Sequence, residues 1–162
     1  MKKMFILLLM FCIGFSVFSQ SESDFTYIEE NGTITIIGYT GEEKNIVIPG
    51  RIRNVLVTTI GACVFSNNQL TRVIIPDSVT SIGMGAFCNN QLTGITIGNS
   101  VTYIGEEAFA DNKLTSITIP NSVIWIGDDA FASNRLTNVT IPNSVTYIGN
   151  GAFDQNVVIT RR

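Results

Sequence analysis

The 162-residue chain has no histidine. That removes the side chain that titrates near neutral pH, and with it the Ser-His and Cys-His nucleophile pairs and most zinc sites. Cysteine is scarce at 3, proline at 4, and tryptophan occurs once. Beyond the first twenty residues two cysteines remain, too few for a disulfide framework. The spacing of Cys63 and Cys88 matches no metal motif. They read as core-facing or loop residues, bridged or free. No second membrane segment or basic anchor follows.

The start of the chain has its own composition. Lys2 and Lys3 precede the apolar stretch MFILLLMFCIGF, and Val17 and Ser19 hold the small-residue positions before Gln20. This predicts a secretory signal peptide over residues 1–19. A membrane anchor would need an apolar run of ~20 residues, longer than this one. Cys12 follows the bulky Phe11, which suits a lipoprotein signal poorly. Without Lys2 and Lys3 the chain carries 8 basic and 13 acidic residues, a net charge of −5. Such a surface predicts no nucleic-acid partner and no membrane insertion after cleavage.

What the chain does have is a period. Phe65, Phe87, Phe109, Phe131 and Phe153 stand 22 residues apart at every step. The same step relates Ile60, Ile82, Ile104, Ile126 and Ile148, each followed by glycine, and Val57, Val79, Val101, Val123 and Val145. A fourth register holds Asn68, Asn90, Asn112, Asn134 and Asn156, with leucine two residues on from Leu70 to Leu136. A period in the twenties predicts a solenoid whose units cannot bury their apolar faces alone.

Each unit reads as one coil. LTSITIP alternates apolar and β-branched residues, a strand with Leu114, Ile117 and Ile119 inward, ended by proline at 76, 120 and 142 and by Gly98 in one coil. Parallel strands are expected near 72–75, 94–97, 116–119 and 138–141. SVTYIG is a second extended segment, Gly105 permits a turn, and EEAF is long enough for one helical turn that buries Phe109. The asparagines, placed where the chain reverses, are read as an inward ladder that satisfies backbone groups cut off from water. Asn31 and Asn138 begin sequons, which matter only in a glycosylating host.

The unit LTSITIPNSVIWIGDDAFASN resembles the BspA-like class of leucine-rich repeat found in bacterial surface proteins. The likeness covers about residues 46 to 159, with Gly98 for proline and Val64 for alanine as departures. The fold expected is mostly β: a right-handed solenoid of about five coils over residues 46–162, with short turns of helix. Residues 20–45 should form a capping hairpin around Asn31-Gly32, and NIVIP should reach Val57 through five extra residues. The sequence stops one strand into a sixth unit, at NVVITRR. Truncation from a longer family pattern is the favoured reading, a partner covering the end the other.

Positions that vary between units locate the surface. Thr59, Ser81, Tyr103, Trp125 and Tyr147 form one outward column, so the last three make an aromatic stripe. It is read as a contact platform or as packing that strengthens the stack. Glu106, Glu107, Asp128 and Asp129 form a second column, with Asp111 nearby. These carboxylates are weak candidates for calcium and better read as a solvated helix start. Gln69, Gln91, Lys113 and Arg135 are ordinary solvated surface.

The expectation is therefore an exported protein, secreted or on the cell surface, with no catalytic residue and no cofactor. It would bind an extracellular protein. The resemblance implies adhesion to host matrix proteins, to other cells or between copies. A carbohydrate-binding module using Tyr103, Trp125 and Tyr147 is the alternative. A glycoside hydrolase built on the carboxylates comes third, because no cleft is evident.

Overall fold

The computed structural model describes residues 21–162; the expected signal peptide lies outside the described residues. The period becomes a stack of coils around one core. Phe65, Phe87, Phe109 and Phe131 are fully buried and stack face to face, with ring centroids 4.9 to 5.3 Å apart through Phe153. Burial of such rings in an unbroken column, flanked by Ile60, Ile82, Ile104 and Ile126 at 0% exposure, is the main source of stability.

One face carries an eight-stranded sheet. It begins with β1 (Phe25–Glu30) and β2 (Thr33–Tyr39), paired antiparallel about Asn31 and Gly32, both at positive φ. β2 then pairs in parallel with β5 (Val55–Ile60), so the hairpin continues the sheet across the end of the stack, and Phe25 joins the core against Tyr39 and Phe65. Next in the sheet come β7 (Ser81–Ile82), β9 (Tyr103–Ile104), β10 (Trp125–Ile126) and β12 (Tyr147–Ile148), all parallel.

The glycine after each isoleucine allows this closeness. A Cβ on Gly105 would stand 2.7 Å from the carbonyl carbon of Gly83, and one on Gly127 would stand 2.5 Å from the Glu106 nitrogen. The role expected for Gly105 was conformational freedom in a turn. Its actual role is to let one backbone lie against the next.

The opposite face differs from expectation. β3 (Asn45–Val47), β6 (Arg72–Ile74) and β8 (Gly94–Thr96) form one parallel sheet, and β11 (Asn138–Ile141) and β13 (Val158–Arg161) form another. The strand expected at 116–119 is absent: this segment bonds to neither neighbour among the described residues. Clefts of about 280 Å3 and about 220 Å3 open on its two sides. One coil back, where other units have proline, Gly98 lies close on Pro76, whose carbonyl carbon is 2.6 Å from where a Cβ would be. The gap toward β11 separates two coils that both carry proline, Pro120 and Pro142, so Gly98 does not account for it.

Two local readings also change. The five extra residues before Val57 form β4 (Arg51–Ile52), antiparallel to β5, through Arg53 and Asn54 at φ 48° and 67°. The segment EEAF is a hydrogen-bonded turn, not helix, because Glu107 has φ 53°; Cys63, Gly85, Asp129 and Gly151 repeat this left-handed residue in their coils. The single helical element among the described residues is a 3-10 turn at Glu22–Asp24.

Candidate functional site

The continuous sheet places residues 103, 125 and 147 side by side in parallel register. Ile104 and Ile126 point into the core, so alternation turns Tyr103, Trp125 and Tyr147 outward, at 41%, 38% and 39% exposure. Trp125 stacks on Tyr147 with centroids 3.7 Å apart and 15° between planes, and faces Tyr103 at 6.3 Å and 20°. One face of the indole is thus covered by Tyr147, and the other looks across a wider spacing to Tyr103. Stacking within the row and exposure of the row hold together.

Beside the row is a notch of about 180 Å3 lined by Tyr103, Glu106, Trp125, Gly127, Asp128 and Tyr147. The carboxylates there have different uses. Asp128 accepts a hydrogen bond from the Asn150 backbone N–H at 2.9 Å, across Gly149. The Glu106 side chain is exposed and makes no hydrogen bond among the described residues, while its backbone carbonyl accepts from Gly85 N–H at 2.8 Å. Glu107 and Asp129 are exposed on the left-handed turns. These four side chains form no group of three or more metal-ligating residues among the described residues. Their placement at a helix start is corrected by the turn geometry.

The sequence pattern did not anticipate that acids serve backbone groups of adjacent coils. Asp77 accepts from Asn99 N–H at 2.7 Å, and Asp154 from Ser133 and Asn134 N–H at 2.9 and 3.2 Å. It also missed Ile124, 49% exposed beside Trp125. Ile124 replaces a threonine in a column where Thr80, Thr102 and Thr146 each bond to the carbonyl of the preceding coil. An isoleucine there enlarges the apolar surface.

The asparagine column is scaffold. The Asn112 carbonyl accepts from Leu92 N–H at 3.0 Å, and its amide donates to the carbonyls of Phe87, Phe109 and Ala110. Asn90 and Asn134 repeat this arrangement. Asn68 makes only part of it, bonding to the Ser66 carbonyl. Asn156 is exposed and makes no such bond among the described residues. Asp154 caps the preceding coil in its place, and the chain turns through Val157 before it can.

Comparison with known proteins agrees with this architecture. The family described as BspA type leucine rich repeat region matches residues 42–160 in six copies. The count exceeds the five coils expected by one. A leucine-rich repeat protein from T. pallidum is similar, with 32% identity, a TM-score of 0.78, and coverage of 85% of this chain and 67% of that one. One from Bacteroides ovatus has 30% identity and a TM-score of 0.74, covering 85% of this chain but 39% of that one. One from Bacteroides capillosus has 27% identity and a TM-score of 0.55, covering 87% and 96%. No curated protein is a significant match.

Proposed function

We propose a reading whose premise is that the chain belongs to the BspA-type leucine-rich repeat family. Such repeats are in general interaction scaffolds rather than catalysts, and their bacterial members are generally surface or secreted proteins. On that basis this chain is an exported adhesion protein whose outward aromatic column contacts a protein partner. The observation that carries the reading is the row Tyr103–Trp125–Tyr147, with Ile124 beside it, held exposed on a rigid sheet. Exposed aromatic clusters with no packing duty toward the core are what protein interfaces use as anchors.

A sugar ring would need an open aromatic face, and Tyr147 lies directly on one face of the indole while Tyr103 flanks the other. This favours a protein partner over a glycan. The test is to expose the purified protein to host matrix proteins and, in parallel, to a glycan array. Retention by a matrix protein, weakened about thirtyfold in Trp125→Ala, is expected, which corresponds to ~2 kcal/mol at an interface anchor. Glycan binding that perturbs Trp125 fluorescence would reverse the choice.

A further inference from the structure

We propose that Cys63 and Cys88 close an intramolecular disulfide that staples the coil of Phe65 to the coil of Phe87, next to the amino-terminal hairpin. The two residues are 25 apart in sequence. That offset brings side chain and neighbour together elsewhere in the stack: the amides of Asn90, Asn112 and Asn134 reach Phe65, Phe87 and Phe109, 25 residues back, at 2.8 to 3.0 Å. Cys63 sits on the left-handed turn, and its sulfur points at the next coil, 3.8 Å from the Met84 carbonyl oxygen.

What lies between the thiols is an absence of side chain. A Cβ on Gly85 would stand 3.2 Å from the Cys63 sulfur and 3.9 Å from the Cys88 Cβ. The Cys63 sulfur and the Cys88 Cβ therefore both lie within 4 Å of one point, which the missing side chain of Gly85 leaves without an atom between them. The next two coils have Glu107 and Asp129 at the position of Gly85, and the last has Gly151. The closing turn is short and hydrogen-bonded, Cys88 N–H to Gly85 carbonyl at 3.1 Å, so the small shift that S–S geometry demands is local.

The chemistry divides between the two sites. Cys63 is exposed, while Cys88 is half-buried and its thiol is pushed up first by burial and then by Asp111, Glu107 and Cys63. The Cys63 thiolate attacks one sulfur of a small-molecule disulfide, forming a mixed disulfide and releasing one thiol. The Cys88 thiolate then displaces the second thiol and the Cys63–Cys88 bond forms. The pair gives up two protons and two electrons, and the small disulfide is reduced to two thiols. Only the presence of such an oxidant around the protein in life rests on the export reading; the chemistry does not.

The test uses the purified full-length protein and oxidised glutathione at neutral pH, with peptide mapping by mass spectrometry. The expected product has a Cys63–Cys88 cross-link, no glutathione retained at either residue, and a melting temperature several degrees above the reduced form. The bond should close at least tenfold faster in the folded protein than in denaturant. Cys88→Ser should instead keep one glutathione on Cys63. A folded wild-type protein that retains glutathione on Cys63 with Cys88 unmodified, or that cross-links no faster than the denatured chain, overturns the proposal. Failure of export would show separately, as fractionation of the protein with the cytoplasm, and would leave this result intact.

Discussion

The two faces of the stack have one period but different cohesion. On the aromatic face the sheet runs unbroken from β1 to β12; on the other it divides around residues 116–119. The first face is held at every step by a glycine lying on the backbone before it, at most steps by a threonine hydroxyl, and from Tyr103 to Tyr147 by cross-coil stacking. The second has strand pairing and threonine bonds of its own, Thr71 to the Lys44 carbonyl and Thr93 to the Thr71 carbonyl, but these stop before residues 116–119. That is where one coil stands unpaired. A repeat secures the spacing of its coils only where side-chain absence, hydrogen bonds and packing coincide.

That contrast is open to direct attack, and the strongest expected effect comes first. Gly127→Ala drives a methyl into the backbone of Glu106, and Gly105 lies beside it, so no flexible group can yield. It should cost about 3 kcal/mol in chemical denaturation. Gly98→Ala also collides with Pro76, but its coil can retreat into the cleft toward Pro120, so about 1 kcal/mol is expected. Equal losses for the two would erase the distinction between the faces.

Hydrogen exchange reads the same contrast without mutation. Amides of Ser116–Ile119 should exchange at least a hundredfold faster than those of Gly105 and Gly127, which bond to the preceding coil at 2.9 Å. Asn112→Ala leaves the buried Leu92 N–H without its acceptor and takes one of two donors from the carbonyls of Phe87, Phe109 and Ala110, so it should cost roughly 2 kcal/mol, against under ~0.5 kcal/mol for Asn156→Ala. Similar melting temperatures for these two variants would contradict the division of the column.

Trp125→Ala removes cross-strand stacking but opens no cavity in the core, so about 1 kcal/mol is expected in stability. Unfolding at ambient temperature would mean the indole supports the core after all. The smallest effect is the last. Millimolar calcium should shift the melting temperature by less than about 1 °C, because a cation that bound only the folded state would have to stabilise it. A clear rise, lost in Asp128→Asn, would establish a site at these carboxylates.

Most of the fold was legible because identical residue types recur in phase. Buried phenylalanine, isoleucine and valine columns need no further context. The gap at 116–119 was not legible, since LTSITIP is as good a strand as its neighbours and its pairing depends on the coils on either side. The hairpin of β4 was hidden because Arg53 and Asn54 take left-handed conformations without a glycine to announce them. For the site, alternation placed Trp125 outward, while the covering of one face required the actual tilt of Tyr147. The uses of Asp77, Asp128 and Asp154 lay in contacts between coils, where acidic residues look like solvated surface until the neighbour is in place.

The glycine column has a consequence for inheritance. Gly83, Gly105, Gly127 and Gly149 each lie on the glycine of the coil before and on the residue after it, and the backbone step is the same every time. Removing residues 105–126 would join Ile104 to Gly127 and restore the identical step, so the stack would close over the loss. A deletion one residue shorter would turn phenylalanine out of the core and asparagine away from its backbone partners in every later coil. Recombination between such similar units therefore offers the lineage a ruler marked in whole coils. Length can drift by 22 residues at a time while folding is kept, and a circular-dichroism melt of the 22-residue and 21-residue deletions should separate the two cases.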